Sequence, residues 1–442
     1  MACHRWLCIS LLLLLLLSLA SQSCHALHSF GFDIHHRFSD PVKEILGVHD
    51  LPDKGTRQYY VAMAHRDRIF RGRRLAAGYH SPLTFIPSNE TYQIEAFGFL
   101  HFANVSVGTP PLSFLVALDT GSDLFWLPCN CTKCVHGIGL SNGEDHPQAN
   151  PFCAIAAYVS YRDNALHLIP SVHMNCGQVQ TGAFLDGAAP NGLFGLGMSN
   201  ESVPSILAKE GLTSNSFSMC FGSDGLGRIT FGDNSSLVQG KTPFNLRALH
   251  PTYNITVTQI IVGEKLMISS FMQYLTLFNS EIKLQRHSSS SSNELPFEYC
   301  YELSPNQTVE LSINLTMKGG DNYLVTDPIV TVSGEGINLL CLGVLKSNNV
   351  NIIGQNFMTG YRIVFDRENM ILGWRESNCY DDELSTLPIN RSNTPAISPA
   401  IAVNPEARSS QSNNPVLSPN LSFKIKPTSA FMMALFVLLA IF

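Results

Sequence analysis

One triplet constrains this chain more than anything else in it. Asp119-Thr120-Gly121 closes the apolar run 114–118, and after Ser122 and Asp123 a second apolar run opens at 124–127. Apolar, turn and apolar at that spacing read as a strand, a tight corner and another strand, with a carboxylate at the tip. Gly121 and the small hydroxyls of Thr120 and Ser122 leave room for that carboxylate to accept hydrogen bonds. No other Asp-Ser-Gly or Asp-Thr-Gly occurs in the 442 residues, and no aspartate stands between Asp233 and Asp321.

The same grammar of short apolar runs between Gly, Pro, Asn and Asp turns continues from about residue 97 to 380. Ala103-Asn-Val-Ser-Val107 precedes Gly108-Thr-Pro-Pro111, and Arg228-Ile-Thr-Phe231, 256–262 and Tyr361-Arg-Ile-Val-Phe365 follow the pattern. Helical signals are few: 205–210, opened by Pro204, and a short stretch at 59–68. The expected fold is mostly β with a few short helices. The length allows one large two-lobed body or two to three ordinary domains.

Both ends read as targeting segments. Residues 1–26 hold a basic start, an apolar stretch at 6–19 and small residues after it, the order of a secretory signal. An amino-terminal anchor is the alternative, for which the apolar stretch is short. Residues 27–96 carry the basic clusters His35-His36-Arg37, Arg66-Asp67-Arg68 and Arg71-Gly72-Arg73-Arg74. Arg73-Arg74 is a plausible processing site, so this segment reads as propeptide-like; a plain linker is the bland reading. Residues 97–245 form the expected first lobe and 246–380 the second. Beyond them, 381–429 is rich in Ser, Pro and Asn and cannot bury enough apolar surface to order itself, the composition of a stalk. The uncharged apolar tail 430–442 follows a polar spacer, the order of a glycosylphosphatidylinositol attachment signal. The expected location is the outer face of the plasma membrane, reached by secretion.

Composition narrows the partners. A net charge of -6, with 14% charged and 45% apolar residues, lacks the basic footprint of a nucleic-acid binder. Outside the signal region the cysteines are Cys129, Cys131, Cys134, Cys153, Cys176, Cys220, Cys300, Cys341 and Cys379. Disulfides are expected in an oxidising compartment, and the odd count leaves one thiol over. Cys129-x-Cys131-x-x-Cys134 could be read as a zinc cluster, but no histidine stands at ligand spacing. Sequons at Asn89, Asn104, Asn130, Asn200, Asn234, Asn254, Asn306, Asn314, Asn390 and Asn420 suit a glycosylated surface protein. No metal or organic cofactor is implied, and a monomer is expected.

Three motifs in order carry a family resemblance. Asn104-Val-Ser-Val-Gly-Thr-Pro-Pro with Phe114-Leu-Val-Ala-Leu-Asp119-Thr-Gly-Ser-Asp-Leu-Phe-Trp126 resembles the first active-site strand pair of pepsin-like aspartic proteases, the plant membrane-tethered branch above all. Asn191-Gly-Leu-Phe-Gly-Leu-Gly197 resembles the strand that supports the first aspartate loop. Asn351-Ile-Ile-Gly354, followed by 361–366 and Leu372-Gly-Trp374, resembles its second-lobe counterpart. The resemblance spans roughly 97–380 and implies a bilobal β architecture acting on peptide or protein substrates. It makes Asp119 a catalytic aspartate, with Thr120 bracing the lobe interface, Gly121 in the turn, Ser122 hydrogen-bonding Asp119 and Trp126 packing beneath the flap. Tyr161 is the flap candidate, and Cys220–Cys379 and Cys300–Cys341 fall where the family places disulfides.

The departures weigh equally. In that family a second aspartate motif follows a Val-Gly turn, but Ile261-Val262-Gly263 leads here into Glu264-Lys-Leu-Met. Two carboxylates about 3 Å apart share one proton, so that one acts as base toward water while the other polarises the peptide carbonyl. Asp119 finds no such mate in the sequence; Glu264 sits too close to its turn and Glu281 lies in a polar run. The flap hairpin also reads as shortened, since Tyr161-Arg-Asp163 runs straight into Asn164-Ala-Leu-His-Leu and its return strand looks deleted. Three readings follow: an acid-active endopeptidase of doubtful competence, a non-catalytic surface glycoprotein binding peptides or proteins, and the misfolded product of a shortened transcript.

Overall fold

Phe30-Gly31-Phe32-Asp33-Ile34 alternates apolar and polar, the pattern of a strand with one face on a core. In the computed structural model this stretch is β1 (Phe30–His36), and every residue of it is buried. The structure describes residues 29–46, 51–72, 99–107, 112–133 and 156–380, leaving out of the last range 160–165, 170–174, 182–183, 185–187, 223–224, 235–237, 246–251, 264, 268–278, 280–281, 288–294, 305–308, 310, 327, 335–336 and 346–350. The expected signal, stalk and lipid-anchor tail lie outside the described residues. No helix among the described residues is long and apolar enough to cross a membrane.

The fold is mostly β, as the turn-punctuated sequence predicts. After β1 come two helices, α1 (Asp40–Leu46) and α2 (Arg57–Gly72). The first-lobe strands are β2 (His101–Val107), β3 (Leu112–Asp119), β4 (Trp126–Lys133), β5 (Ala156–Val159), β6 (Leu166–Ile169), β7 (Asn175–Val179), β8 (Leu193–Gly195), β9 (Ser216–Phe221), β10 (Leu226–Phe231) and β11 (Gly240–Pro243), with α3 (Val203–Lys209) between β8 and β9. Then follow β12 (Val257–Val262), β13 (Lys265–Met267), β14 (Cys300–Leu303), β15 (Ile313–Met317), β16 (Asn322–Val325), β17 (Ile329–Gly334), β18 (Ile337–Leu342), α4 (Gln355–Met358), β19 (Tyr361–Asp366) and β20 (Ile371–Glu376).

Thirteen strands share one sheet, whose path runs β11-β20-β19-β9-β10-β1-β2-β3-β8-β4-β7, with β5 and β6 branching from β2. Second-lobe residues add a four-stranded sheet, β13-β12-β15-β16, and a three-stranded one, β14-β18-β17. β1 is the join between β10 and β2: Phe32 lies opposite Ile229 on one side, and His35 and His36 lie opposite Phe102 and His101 on the other. Gly31 is required there, because a Cβ would stand 2.5 Å from the Ile229 carbonyl. Phe30, Phe32 and Ile34 enter the main core, where Phe32 meets Phe194 edge-on at 6.0 Å. On the other face Asp33 accepts from Arg228 at 3.1 Å. The helix read at 59–68 is the middle of α2, and Tyr60 of that helix packs on Phe297 and the β14-β18-β17 core. So the amino-terminal segment touches both lobes.

Candidate active site

β3 delivers Asp119 to its turn by running parallel to β8, with Ala117, Leu118 and Asp119 opposite Leu193, Phe194 and Gly195. The glycines of Asn191–Gly197 explain how closely that support fits. A Cβ on Gly192 would stand 2.1 Å from the Trp126 carbonyl oxygen, and one on Gly195 2.3 Å from the Asp123 carbonyl. One on Gly197 would stand 2.3 Å from Asp123 Oδ1. With hydrogen in those places the two segments lock by main-chain bonds: Leu196 N–H donates to the Asp119 carbonyl and Gly197 N–H to the Ser122 carbonyl, both at 2.8 Å. Asp123 Oδ1 accepts from Ser199 N–H at 2.9 Å. The half-buried Asp119 side chain accepts from Gly121 N–H at 2.9 Å through Oδ1.

Behind this corner stand two residues that sequence reasoning did not single out. Tyr253 donates its hydroxyl to the Leu196 carbonyl at 2.6 Å, one peptide away from the bond that holds Asp119. Burial raises its phenol above the ordinary range and keeps it a donor. Arg367, 7% exposed, donates to Ser202 Oγ at 3.1 Å and Ser205 Oγ at 2.7 Å, pinning the start of α3. Asp123 had a signal, since it ends the Asp119-Thr-Gly-Ser-Asp run; Tyr253 and Arg367 lie in unremarkable polar contexts.

One expected role is not what the structure has. Ser122 Oγ is buried without a hydrogen-bond partner among the described residues, so it does not bond Asp119, and Gly121 N–H fills that place. Thr120 is exposed at the turn tip, and main-chain bonds from 196 and 197 close the corner. Trp126 packs edge-on against Phe184 at 5.4 Å and over Gly177. The return strand of the flap hairpin is present: β5 and β6 pair antiparallel from Ala156 opposite Ile169 to Val159 opposite Leu166. Leu166-His-Leu-Ile169 alternates well enough to serve as that strand. Tyr161 lies outside the described residues. Disulfides join Cys220 to Cys379 and Cys300 to Cys341, the latter two directly opposite each other across β14 and β18.

The second lobe presents the mirror motif without its cargo. Asn191–Gly197 is buried almost throughout, whereas Asn351, Ile352 and Gly354 are exposed, Ile352 at 66%. Among the described residues no strand pairs with 351–354. Where a long apolar strand would lead to a second aspartate, β12 turns at Gly263, with φ of 58°, into the three-residue β13. Glu264 and Glu281 lie outside the described residues.

A strand-borne Asp-Thr-Gly locked against a glycine-rich support, in a mostly β body, defines a pepsin-like framework. Comparison with known proteins agrees. Residues 101–163 and 155–233 match the family model "Xylanase inhibitor N-terminal", and 255–376 match "Xylanase inhibitor C-terminal". "Aspartyl protease family protein 1" of Arabidopsis thaliana is 46% identical, over 93% of this chain and 94% of that protein. "Aspartic proteinase-like protein 1" of the same plant is 31% identical, over 91% of each. Among solved structures, basic 7S globulin from soybean gives a TM-score of 0.48 at 19% identity, covering 66% of this chain and 96% of that one. The chain belongs to the pepsin-like aspartic protease family.

The alignments are longer than the parts of this chain that they cover. That with the 46% relative runs over 481 positions, yet 93% of 442 residues is about 411, so about 70 positions of the relative stand opposite gaps here. The amino-terminal family match comes in two pieces that overlap at 155–163.

Proposed function

We propose that this protein is an aspartic endopeptidase by descent whose own hydrolysis of peptides is strongly reduced, displayed through the secretory pathway on a lipid anchor. Asp119 is its remaining catalytic aspartate, and extended peptide or protein segments are the substrates. In a complete pair one carboxylate takes a proton from water while its protonated mate polarises the scissile carbonyl, and no covalent intermediate forms. The observation that carries the reading is the asymmetry of the two supports: Asn191–Gly197 braces a strand bearing a carboxylate, while Asn351–Gly354 is exposed, and no aspartate lies between Asp233 and Asp321. Losing one member of the pair removes acid–base assistance of roughly 10²- to 10⁴-fold.

The test compares the wild-type chain, Asp119→Asn and a complete relative on a denatured protein at about pH 4, with a pepstatin-type inhibitor as control. The expected result is cleavage at least about 100-fold slower than the relative's. Turnover equal to the relative's, abolished by Asp119→Asn, would refute it. The second reading, a surface glycoprotein that binds peptides without cutting, is favoured by the same missing carboxylate; a biological phenotype untouched by Asp119→Asn would select it. The short β12–β13 turn and the family match that comes as two overlapping pieces support the loss of coding blocks, and the reading frame around Asp163 and Gly263 tests that.

A further inference from the structure

The fold separates the sequons of this chain by how open their asparagines are. Asn104 is half-buried within β2, opposite Leu115 of β3. Asn314 is half-buried in β15, opposite Ile261 of β12 and Leu324 of β16. Asn254 is half-buried as well, and its Oδ1 accepts from Asn245 Nδ2 at 3.0 Å. Asn200 is exposed at a turn, and Asn234 is exposed just beyond the end of β10.

Asn234 also lines a hollow. The other walls are Asp233, Val238, Arg362, Val364 and Arg375, and the space between them is about 170 Å³. Pockets that enclose drug-sized ligands run to roughly 300–1,000 Å³, so this one suits a single ring. Asp233 is 7% exposed and accepts from Arg362 Nε at 2.6 Å and from Arg362 Nη2. Arg375 stands directly opposite Arg362 across β19 and β20. A carboxylate has about four acceptor sites, so Asp233 has acceptor capacity beyond these two bonds. The lining therefore combines guanidinium donors, a carboxylate acceptor and two valine flanks. A sugar ring, with a hydroxyl rim and C–H faces, matches that combination. An oxyanion would meet the Asp233 carboxylate, so a neutral polyol fits the lining better.

We infer that Asn234 carries an N-linked glycan and that its first N-acetylhexosamine ring is seated in this hollow. The inference rests on the proposed secretory route and is independent of peptide hydrolysis. In the transfer, Asn234 Nδ2 forms a bond to the anomeric carbon of a lipid-pyrophosphate-linked oligosaccharide. The lipid pyrophosphate leaves with the electron pair of the broken C–O bond, and the amide gives up one proton. Asn234-Ser235-Ser236 is read on the extended chain before folding, so sequence alone sets that step. Once the chain folds, Arg375 donates to ring oxygens, Asp233 accepts from a sugar hydroxyl, and Val238 and Val364 flank the ring.

Glycopeptide mass spectrometry on the full chain secreted from a mammalian cell line tests occupancy. Peptide N-glycosidase in heavy-oxygen water, applied to folded and to denatured protein, tests the seat by marking each released asparagine. Asn234 is expected to be glycosylated and to release its sugar at least about tenfold more slowly from the folded protein, the scale of one or two net hydrogen bonds. Arg375→Gln and Val238→Ala, each checked for a wild-type thermal midpoint, should recover most of the lost release rate. A bare Asn234 in a secreted protein glycosylated at other sequons overturns the inference and leaves the secretory reading standing. A chain that keeps residues 1–26 and bears sugar at no sequon refutes both. Equal release from folded and denatured wild-type protein overturns the seat, as does resistance unchanged in both folded variants.

Discussion

Phe32→Ala is the sharpest probe of whether the amino-terminal segment belongs to the fold or merely rests on it. Phe32 is 1% exposed and sits between Phe194 and Phe231, each with ring centroid 6.0 Å away. Removing a fully enclosed ring forfeits its transfer energy and leaves a hole, at a cost of about 3–5 kcal/mol. At 1.4 kcal/mol per decade, that is about two to three and a half powers of ten in the folding equilibrium, against a usual total of about 5–15 kcal/mol. Urea unfolding at neutral pH with disulfides intact measures it, with Trp126 on β4 and Trp374 on β20 as fluorescent reporters. Ile352→Ala, on a side chain 66% exposed, is the control and should stay within about 0.5 kcal/mol. A cost below about 1 kcal/mol for Phe32→Ala would mean that β1 is a detachable decoration.

Other expectations follow from the geometry. Tyr253→Phe leaves the Leu196 carbonyl short of a donor and should cost about 1–3 kcal/mol, with faster amide exchange at Leu196 and Gly197. Gly195→Ala drives a Cβ to 2.3 Å from the Asp123 backbone and should lower the thermal midpoint by about 3 kcal/mol equivalent or more. Replacing Cys300 and Cys341 together by Ser frees a loop closed over 41 residues and should cost about 4 kcal/mol in chemical denaturation.

Much of this was legible from residues alone, and the exceptions have physical causes. The β body announced itself through apolar runs cut by Gly, Pro and Asn, and the Asp119 corner through a motif whose glycines are sterically required. β1 was hidden by charge. His35-His36-Arg37 reads as a solvent-loving cluster, yet all three are buried, with Arg37 lying over Phe38 at 4.9 Å. The alternation of Phe30, Phe32 and Ile34 was the signal available, outweighed by its basic neighbours. Ser122 was assigned to Asp119 by adjacency, but in a tight corner the nearer donor is the main-chain N–H two residues on. Tyr253 acts across 57 residues of chain, a separation no local pattern encodes.

The place of β1 in the sheet bears on how this protein can be handled. A recombinant chain begun after Arg74 would bare one border of β10 along its length, and β2, paired with β5 over 105–107, would lose its partner at 101 and 102. Such borders recruit one another between molecules, so a trimmed preparation should come out as oligomers or precipitate. Supplying residues 29–72 as a separate peptide should restore solubility.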